Sequence, residues 1–312
     1  MVSSADLQGA LSDADALSCA ARTGGVSSVQ VALSGSRKTP MQFLRANDYD
    51  VAYLERGVGT PLLLIHGALC DCRYWTPQME AFGQRYRVIT VSLRHFWPAC
   101  WDGSGDDFTA RQHTEDVATF LDTLGAGPVH LVGHSRGGYV AFQVARNFPD
   151  RVRALVLAEP GGDLDASLQH TPTRTDSVAP ISFDGAAEHI RRGDIDAGLA
   201  VFVEAVSGRG AWGDLSERSK QVMRDNAHTL LGQFREHRAP FSRADAEAIA
   251  APTLLVGAER SPPAYAGILD ALEQSLRNVR RVTIPGASHP MNHRSPPAFN
   301  AAVLDFLASC ET

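Results

Sequence analysis

Short apolar runs recur along the chain, and longer stretches with apolar residues at helical spacing separate them. Such runs indicate strands that are buried on both faces, as in a parallel sheet covered by helices. They lie at residues 62–65, 87–93, 129–132, 152–157, 253–256 and 281–284. Residues 50–55 instead alternate apolar and polar positions, which predicts an antiparallel strand at the sheet edge. The pattern therefore predicts an α/β fold with a mostly parallel central sheet and helices on both of its faces.

The segments between the runs carry helical patterns with recognisable ends. Thr109 followed by Gln112 forms a capping box, and the helix that follows ends at Gly125. Its apolar stripe has the spacing of one helix face, at Val117, Phe120, Leu121 and Leu124. Residues 158–252 make a far longer stretch than a strand crossover needs. We therefore expect a helical cap of residues 163–247, inserted after the sixth strand of a core that comprises residues 41–162 and 248–312.

Composition narrows the class of protein. The 312 residues are 44% hydrophobic, enough for a substantial core, and the net charge of −6 argues against nucleic acid or an anionic membrane as the main partner. No run approaches the roughly 20 apolar residues of a membrane-spanning helix. Residues 1–40 are rich in Ser, Ala, Gly and Asp, so we expect a flexible extension without a signal peptide. Five cysteines, an odd number, favour free thiols and a cytoplasmic protein.

A Gly-x-Ser-x-Gly motif centred on Ser135 is the most informative part of the chain. It directly follows the run 129–132 and precedes a helical pattern. Glycines two positions before and after the serine fit a turn so tight that side chains there would collide. The turn exposes the serine hydroxyl above the sheet edge, beside a helix N-terminus that favours a developing anion. Ser135 is therefore the predicted nucleophile.

With this motif, the chain resembles the α/β-hydrolase superfamily from about residue 48 to the C-terminus. The other matches are His66-Gly67, the position of the cap, and a loop ending at His289 that is similar to the family's Pro-Gly-x-x-His. The resemblance implies that His289 activates Ser135 for attack on a carbonyl carbon, through an acyl-enzyme and without a cofactor. Esters, lactones and thioesters are the expected substrates, ahead of amides.

The resemblance also implies an oxyanion hole made by the backbone N–H groups of Ala68 and Arg136. His66 is expected to hold its loop by hydrogen bonds. His293, four residues after His289, competes for the role of base. A histidine pair at this spacing also suits a metal, but no nearby carboxylate completes such a site, so we predict no metal.

Two glutamates compete for the role of the acid that orients the base. The family's usual position follows the penultimate strand, where this chain has Glu259 and, at the place expected for an aspartate, Ser261. Some members, including certain haloalkane dehalogenases and zearalenone-type lactonases, carry the acid one strand after the nucleophile, where this chain has Glu159. An unpaired carboxylate between a buried strand and Pro-Gly-Gly is costly, so we favour Glu159 over Glu259. The other glutamate is then expected to form a structural ion pair, for example with Arg260.

Bulky aromatic residues follow the run 87–93, where family members commonly have Asp-x-x-Gly-x-Gly-x-Ser. With apolar residues of the cap they predict a sizeable apolar pocket, whose candidate substrate-binding residues are Phe96, Trp97, Trp101, Phe202, Trp212 and His228. The pattern is similar to esterases that open macrocyclic lactones, including macrolide-antibiotic esterases, so we expect a small-molecule partner of this kind and a role in antibiotic resistance.

Another reaction of the same triad, such as C–C bond hydrolysis or perhydrolysis, and a non-catalytic ligand receptor are the alternatives. The oligomeric state is left open.

Overall fold

The computed structural model describes residues 30–32, 38–169, 181 and 183–311. In these ranges the strands are β1 (Gln30–Ala32), β2 (Lys38–Pro40), β3 (Gln42–Ala46), β4 (Tyr49–Arg56), β5 (Pro61–Ile65), β6 (Arg87–Val91), β7 (Val129–His134), β8 (Val152–Ala158), β9 (Thr253–Ala258) and β10 (Val279–Ile284). β1 and β2 pair antiparallel outside the main sheet, so this part of the expected flexible extension is paired backbone. The rest of that extension, residues 1–29 and 33–37, lies outside the described residues.

β3 to β10 form one eight-stranded sheet in the order β10-β9-β8-β7-β5-β6-β4-β3. The five pairings among β5 to β10 are parallel, whereas β4 pairs antiparallel with β3 and with β6. The predicted mostly parallel sheet of an α/β-hydrolase fold is thus confirmed. The predicted edge strand is antiparallel, as expected, but it lies one position inside the sheet. β3 forms the edge, and its mostly exposed residues carry little of the apolar signal that marks the inner strands.

Alternate residues of the central strands enter two separate cores, one on each face of the sheet. Leu63 and Leu131 belong to the core under the helices Ala110–Leu124, Arg136–Asn147 and Pro263–Glu273, whereas Leu64 and Val132 belong to the core under the helices Thr76–Phe82 and Pro296–Ser309. The helices of the described ranges are α1 (Thr76–Phe82), α2 (Ala110–Leu124), α3 (Arg136–Asn147), α4 (Ala166–Gln169), α5 (Ala186–Arg191), α6 (Ile195–Ser207), α7 (Glu217–Asp225), α8 (Thr229–Arg235), α9 (Arg243–Ala248), α10 (Pro263–Glu273), α11 (Met291–Arg294) and α12 (Pro296–Ser309). Burial on both faces explains why these strands are continuously apolar.

Both ends of α2 lie where the sequence motifs predict them. The N–H of Gln112 donates to the hydroxyl of Thr109 at 3.0 Å, and the helix stops at Gly125 in a left-handed conformation with φ of +61°. The side chain of Gln112 donates to Asp116 instead of returning to the cap residue. The predicted helix is therefore present with half of the predicted capping box.

α4 to α9 lie between β8 and β9, after the sixth strand of the large sheet. Gly193 lies between α5 and α6, and Asn226 lies between α7 and α8. An apolar cluster of the cap includes Ile190, Leu199, Phe202 and Leu230, and it also takes in Leu69 of the core. No helix in the described part of the chain combines the length and the apolarity needed to cross a bilayer.

Candidate active site

Ser135 lies in the turn between β7 and α3, in a backbone conformation that side-chain-bearing residues rarely adopt. Its φ is +54° and its ψ is −120°. The Ser135 N–H donates to the carbonyl of Ala158 at 3.0 Å, and the Ser135 carbonyl accepts the N–H of Gly161 at 3.0 Å. Strained backbone of this kind persists only where surrounding bonds enforce it, and it is common at active sites.

Glycines surround this turn because side chains would collide there. A Cβ at Gly133 would lie 2.3 Å from the carbonyl oxygen of Gly137, and a Cβ at Gly137 would lie 2.3 Å from that of His66. A Cβ at Gly67 would lie 3.1 Å from the Cβ of Ser135. The loop after β5 therefore passes as close to Ser135 as backbone allows.

Glu159 directly follows β8 and also has a left-handed backbone, with φ of +41°. Because β7 and β8 are parallel neighbours, Ser135 and Glu159 leave the sheet side by side. The buried Glu159 carboxylate accepts the N–H of Ala258 at 2.8 Å on Oε1 and the hydroxyl of Ser261 at 2.8 Å on Oε2. The same Oε2 lies 2.7 Å from Nδ1 of His289. The side chain is thus held by its strand neighbour and aimed at the imidazole.

Burial acts on the protonation of both partners in this pair. It raises the pKa of Glu159 to about 8, against the hydrogen bonds from Ser261 and Ala258, which lower it. It lowers the pKa of the fully buried His289 to about 3. At 2.7 Å the two groups are close enough for their titrations to be coupled. A neutral imidazole is the form that a general base requires.

Glu259 lies away from His289. Its side chain is exposed, and its Oε2 accepts the N–H of Gly286 at 2.6 Å. Among the described residues this is a loop contact and not the suggested ion pair with Arg260. The structure therefore brings Glu159, and not Glu259, to His289.

The two expected oxyanion-hole residues flank Ser135. Ala68 lines the cavity beside it, and Arg136 is the first residue of α3. Within the described ranges, the backbone N–H groups of both residues have no hydrogen-bond acceptor. Two uncommitted donors next to a helix N-terminus suit a negatively charged oxygen.

The side chain of Arg136 joins a buried ion cluster with Glu236 of the cap. Both side chains are 1% exposed. The carboxylate of Glu236 accepts from both terminal nitrogens of Arg136, accepts the N–H of Ala110 at 2.9 Å, and lies 3.3 Å from Nε of Arg238. This cluster joins Glu236 to α3, the helix that follows Ser135.

Two further histidines near the site serve as hydrogen-bonding groups. His66 is fully buried, its Nδ1 donates to the carbonyl of Gly67 at 2.8 Å, and its Nε2 accepts the N–H of Leu93 at 3.0 Å. Burial lowers the pKa of His66 to about 4, so the neutral ring joins two loops. His293 donates from Nε2 to the carbonyl of Tyr74. No group of three His, Cys, Asp or Glu side chains suited to a metal occurs in the described part of the chain.

A cavity of about 210 Å³ opens above Ser135 and His289. The cap contributes five apolar side chains to its wall, namely Phe202, Val203, Val206, Leu215 and Met223. Two arginines, Arg209 and Arg294, also line it, together with Asp214. The cavity thus offers an apolar surface to a substrate whose reacting carbonyl lies at Ser135.

Of the six predicted substrate-binding residues, the structure places Phe202 on the cavity wall. The other five are outside that lining: Phe96 packs on His66, Trp97 lies under Arg73, Trp101 stacks on His95, Trp212 lies under Lys220, and His228 is exposed before α8. Apart from that of His228, these rings pack against other side chains outside the cavity lining. Aromatic character marks a residue for burial but does not indicate which neighbour it faces.

Two residues of the site were absent from the predicted set. Ser261 donates to Glu159, although its only signal was that it stands where the family usually has an acid. Tyr265, in the first turn of α10, stacks on His289 with 4.2 Å between ring centroids. A single tyrosine in an apolar helix pattern has no signal that separates it from ordinary core.

Comparison with known proteins places this geometry in a family. A family model described as the alpha/beta hydrolase fold matches residues 60–296. The putative carbamate hydrolase RutD of Azorhizobium caulinodans is 26% identical over 280 residues, which cover 85% of this chain and 98% of that protein. A 2-hydroxy-6-oxononadienedioate/2-hydroxy-6-oxononatrienedioate hydrolase of Burkholderia vietnamiensis is 31% identical over 202 residues, 61% of this chain and 63% of that protein.

Solved structures share the fold. An enol-lactonase from Burkholderia xenovorans has a TM-score of 0.66 at 19% identity, covering 86% of this chain and 100% of that one. The carboxylesterase CesB from Bacillus subtilis has a TM-score of 0.69 at 18% identity, covering 87% of this chain and 92% of that one. Because the family model spans most of the chain, including Ser135 and His289, the chain belongs to the α/β-hydrolase fold family of hydrolases.

Proposed function

We propose that the protein is a serine hydrolase that cleaves a carboxylic ester or lactone through an acyl-enzyme intermediate. The observation that carries the proposal is that Ser135, with its strained backbone, and His289 line one cavity, and that Nδ1 of His289 lies 2.7 Å from Glu159. Nucleophile, base and orienting acid are the three roles that this chemistry needs.

In the proposed reaction, Ser135 attacks the carbonyl carbon while Nε2 of His289 takes the hydroxyl proton. The resulting imidazolium is held through its Nδ1–H by the carboxylate of Glu159. The N–H groups of Ala68 and Arg136 stabilise the negative oxygen, and such donors contribute about 3–4 kcal/mol each. The alcohol leaves with the proton from His289, and a water activated by the same ring then cleaves the Ser135 ester.

The cavity supports an apolar substrate of modest size. Its volume of about 210 Å³ is below the ~300 Å³ at which pockets begin to enclose drug-sized ligands. A small or medium ester or lactone fits this space, whereas a macrocyclic lactone of the macrolide type would leave most of its ring outside. We therefore place the apolar acyl part against Phe202 and keep the macrocycle as a substrate to be tested.

A second candidate is a different bond cleaved by the same three residues. The relatives named as hydrolases of a carbamate and of an oxo-dienedioate favour this alternative, since each covers a large part of the chain. Turnover on a carbamate or on a vinylogous 1,5-diketone, without turnover on esters, would support it.

We also propose that the enzyme acts in the cytoplasm. Cys70, Cys72 and Cys310 are free thiols, and thiols persist in reducing compartments.

The test compares wild type with Ser135→Ala on a panel of p-nitrophenyl esters, small lactones and macrocyclic lactones, read by turnover and mass spectrometry. We expect repeated turnover of small esters or lactones, a gain of about 18 Da on a lactone, and a fluorophosphonate adduct on wild type alone. An adduct on Ser135→Ala would contradict the nucleophile. Tight ligand binding with a single product per chain would indicate a receptor.

A further inference from the structure

Tyr265 covers one face of the imidazole of His289. It lies in the first turn of α10, 4% exposed, and its ring is nearly parallel to the imidazole, with an interplanar angle of 16° and 4.2 Å between centroids. On another side, the ring of His134 lies 4.6 Å away at 41°. Of the rings that contact His289 among the described residues, Tyr265 makes the flat contact.

A single hydrogen bond does not fully fix the orientation of an imidazole ring. The contact between Nδ1 and Glu159 fixes one atom of the His289 ring, yet the ring can still pivot about that contact. Nε2, on the far side of the ring, has to face the hydroxyl of Ser135 when the proton is transferred. A flat aromatic surface against the imidazole opposes such pivoting, and its electron-rich face also favours the imidazolium that forms during the reaction.

An effect of the Tyr265 hydroxyl, and not of its ring, is the competing explanation for a role of this residue at His289. Burial raises the pKa of this phenol, while an interaction with the hydroxyl of Ser135 lowers it. The hydroxyl group therefore lies near the nucleophile, and its effect has to be separated from that of the ring. Phe and Leu substitutions make this separation, because Phe keeps the ring and Leu keeps neither ring nor hydroxyl.

We propose that Tyr265 is a positioning residue whose ring, stacked on His289, holds the base in line with Ser135. The inference rests on the proposed function, since it assigns His289 as the base. It requires the ring and not the hydroxyl. Glu159 and Tyr265 then restrain different parts of the base, since the carboxylate fixes one atom of the imidazole and the aromatic face fixes its plane.

The experiment measures kcat and KM on a p-nitrophenyl ester, and the rate of fluorophosphonate labelling, for wild type, Tyr265→Phe and Tyr265→Leu. We expect Tyr265→Phe to stay within about threefold of wild type, and Tyr265→Leu to lose about 10- to 100-fold in kcat and in labelling rate with KM nearly unchanged. A merely structural role would also tolerate Phe, so the readout that identifies positioning is a loss of kcat and of labelling rate with KM nearly unchanged in folded Tyr265→Leu. If Tyr265→Leu does not fold, Tyr265→Met fills the space with an unbranched chain and replaces it.

Two outcomes would overturn the inference. Loss of activity in Tyr265→Phe equal to that in Tyr265→Leu would assign the effect to the hydroxyl, and full activity in Tyr265→Leu would remove any role for the ring. Failure of the proposed function has a different signature, namely a wild type without ester turnover. In that case the labelling rates of the same variants still decide the role of the ring.

Discussion

Replacing Ser261 by Ala tests the role of Glu159, because it changes the pKa of the Glu159 carboxyl and leaves the carboxyl in place. The Ser261 hydroxyl donates to Oε2 of Glu159 at 2.8 Å, the oxygen that also contacts His289. This bond lowers the pKa of Glu159, whereas burial raises it. A hydrogen bond to a charged group contributes about 1.5–3 kcal/mol, and about 1.36 kcal/mol corresponds to one pKa unit. Its loss should therefore raise the pKa of the carboxyl by about 1–2 units.

The direction of the effect on activity follows from the protonation state of Glu159 that the proposed mechanism uses. The ionised carboxylate of Glu159 supports the imidazolium, so activity needs the deprotonated form. A higher pKa in Ser261→Ala means that this form appears only at higher pH. The acid limb of kcat/KM should therefore move up by about 1–2 pH units, with activity regained on the alkaline side. The limb belongs to Glu159 and His289 as a coupled pair.

The assay is kcat/KM for a neutral ester between about pH 4 and pH 10, over the range in which each variant stays folded. Ser261→Thr keeps a hydroxyl and should leave the limb in place. Glu259→Gln changes a carboxylate in the same loop that contacts only Gly286 among the described residues, and it should also leave the limb unmoved. A limb that stays fixed in Ser261→Ala, or moves instead in Glu259→Gln, would refute the assignment of Glu159.

Three further outcomes are expected. Glu159→Gln should lower kcat by at least about 100-fold on the same ester, and Glu259→Gln should stay within about twofold; the reverse ranking in steady-state assays would exchange their roles. Glu236→Gln leaves the guanidinium of Arg136 buried without its counter-charge and should lose about 3–5 kcal/mol in urea unfolding, so a loss below about 1 kcal/mol would contradict the importance of that pair. Phe202→Ala should raise KM about tenfold for a hexanoate ester but little for an acetate ester, and equal effects on both would place the acyl chain elsewhere.

The sheet and the tight turn at Ser135 follow from local patterns. The run 129–132 and the Gly-x-Ser-x-Gly motif each depend on neighbours in sequence, since strand burial and the tight turn are decided within a few residues. The length of chain between two strands predicts an inserted helical segment, and α4 to α9 lie there. These features need no knowledge of which side chains meet across the fold.

Contacts between distant segments were harder to predict. Glu159 and Glu259 both follow strands, and the choice between them depends on where one carboxylate lies relative to His289, 130 positions along the chain from Glu159. The burial cost of an unpaired carboxylate favours Glu159, and the structure places this carboxylate 2.7 Å from Nδ1 of His289. Phe96, Trp97, Trp101 and Trp212 lie outside the cavity lining, because apolar character predicts that a side chain packs against others but not which ones.

The pair of Arg136 and Glu236 has a consequence for recombination between relatives. Cap segments are attractive units to exchange when a new specificity is wanted, because the catalytic strands lie outside them. Here a transplanted cap that lacks the glutamate would leave a guanidinium stranded inside the protein at the residue after the nucleophile. A chimera must therefore carry Glu236 along with the graft, or replace Arg136 by an apolar residue in the recipient. The cap and the turn at Ser135 therefore have to be exchanged as one unit.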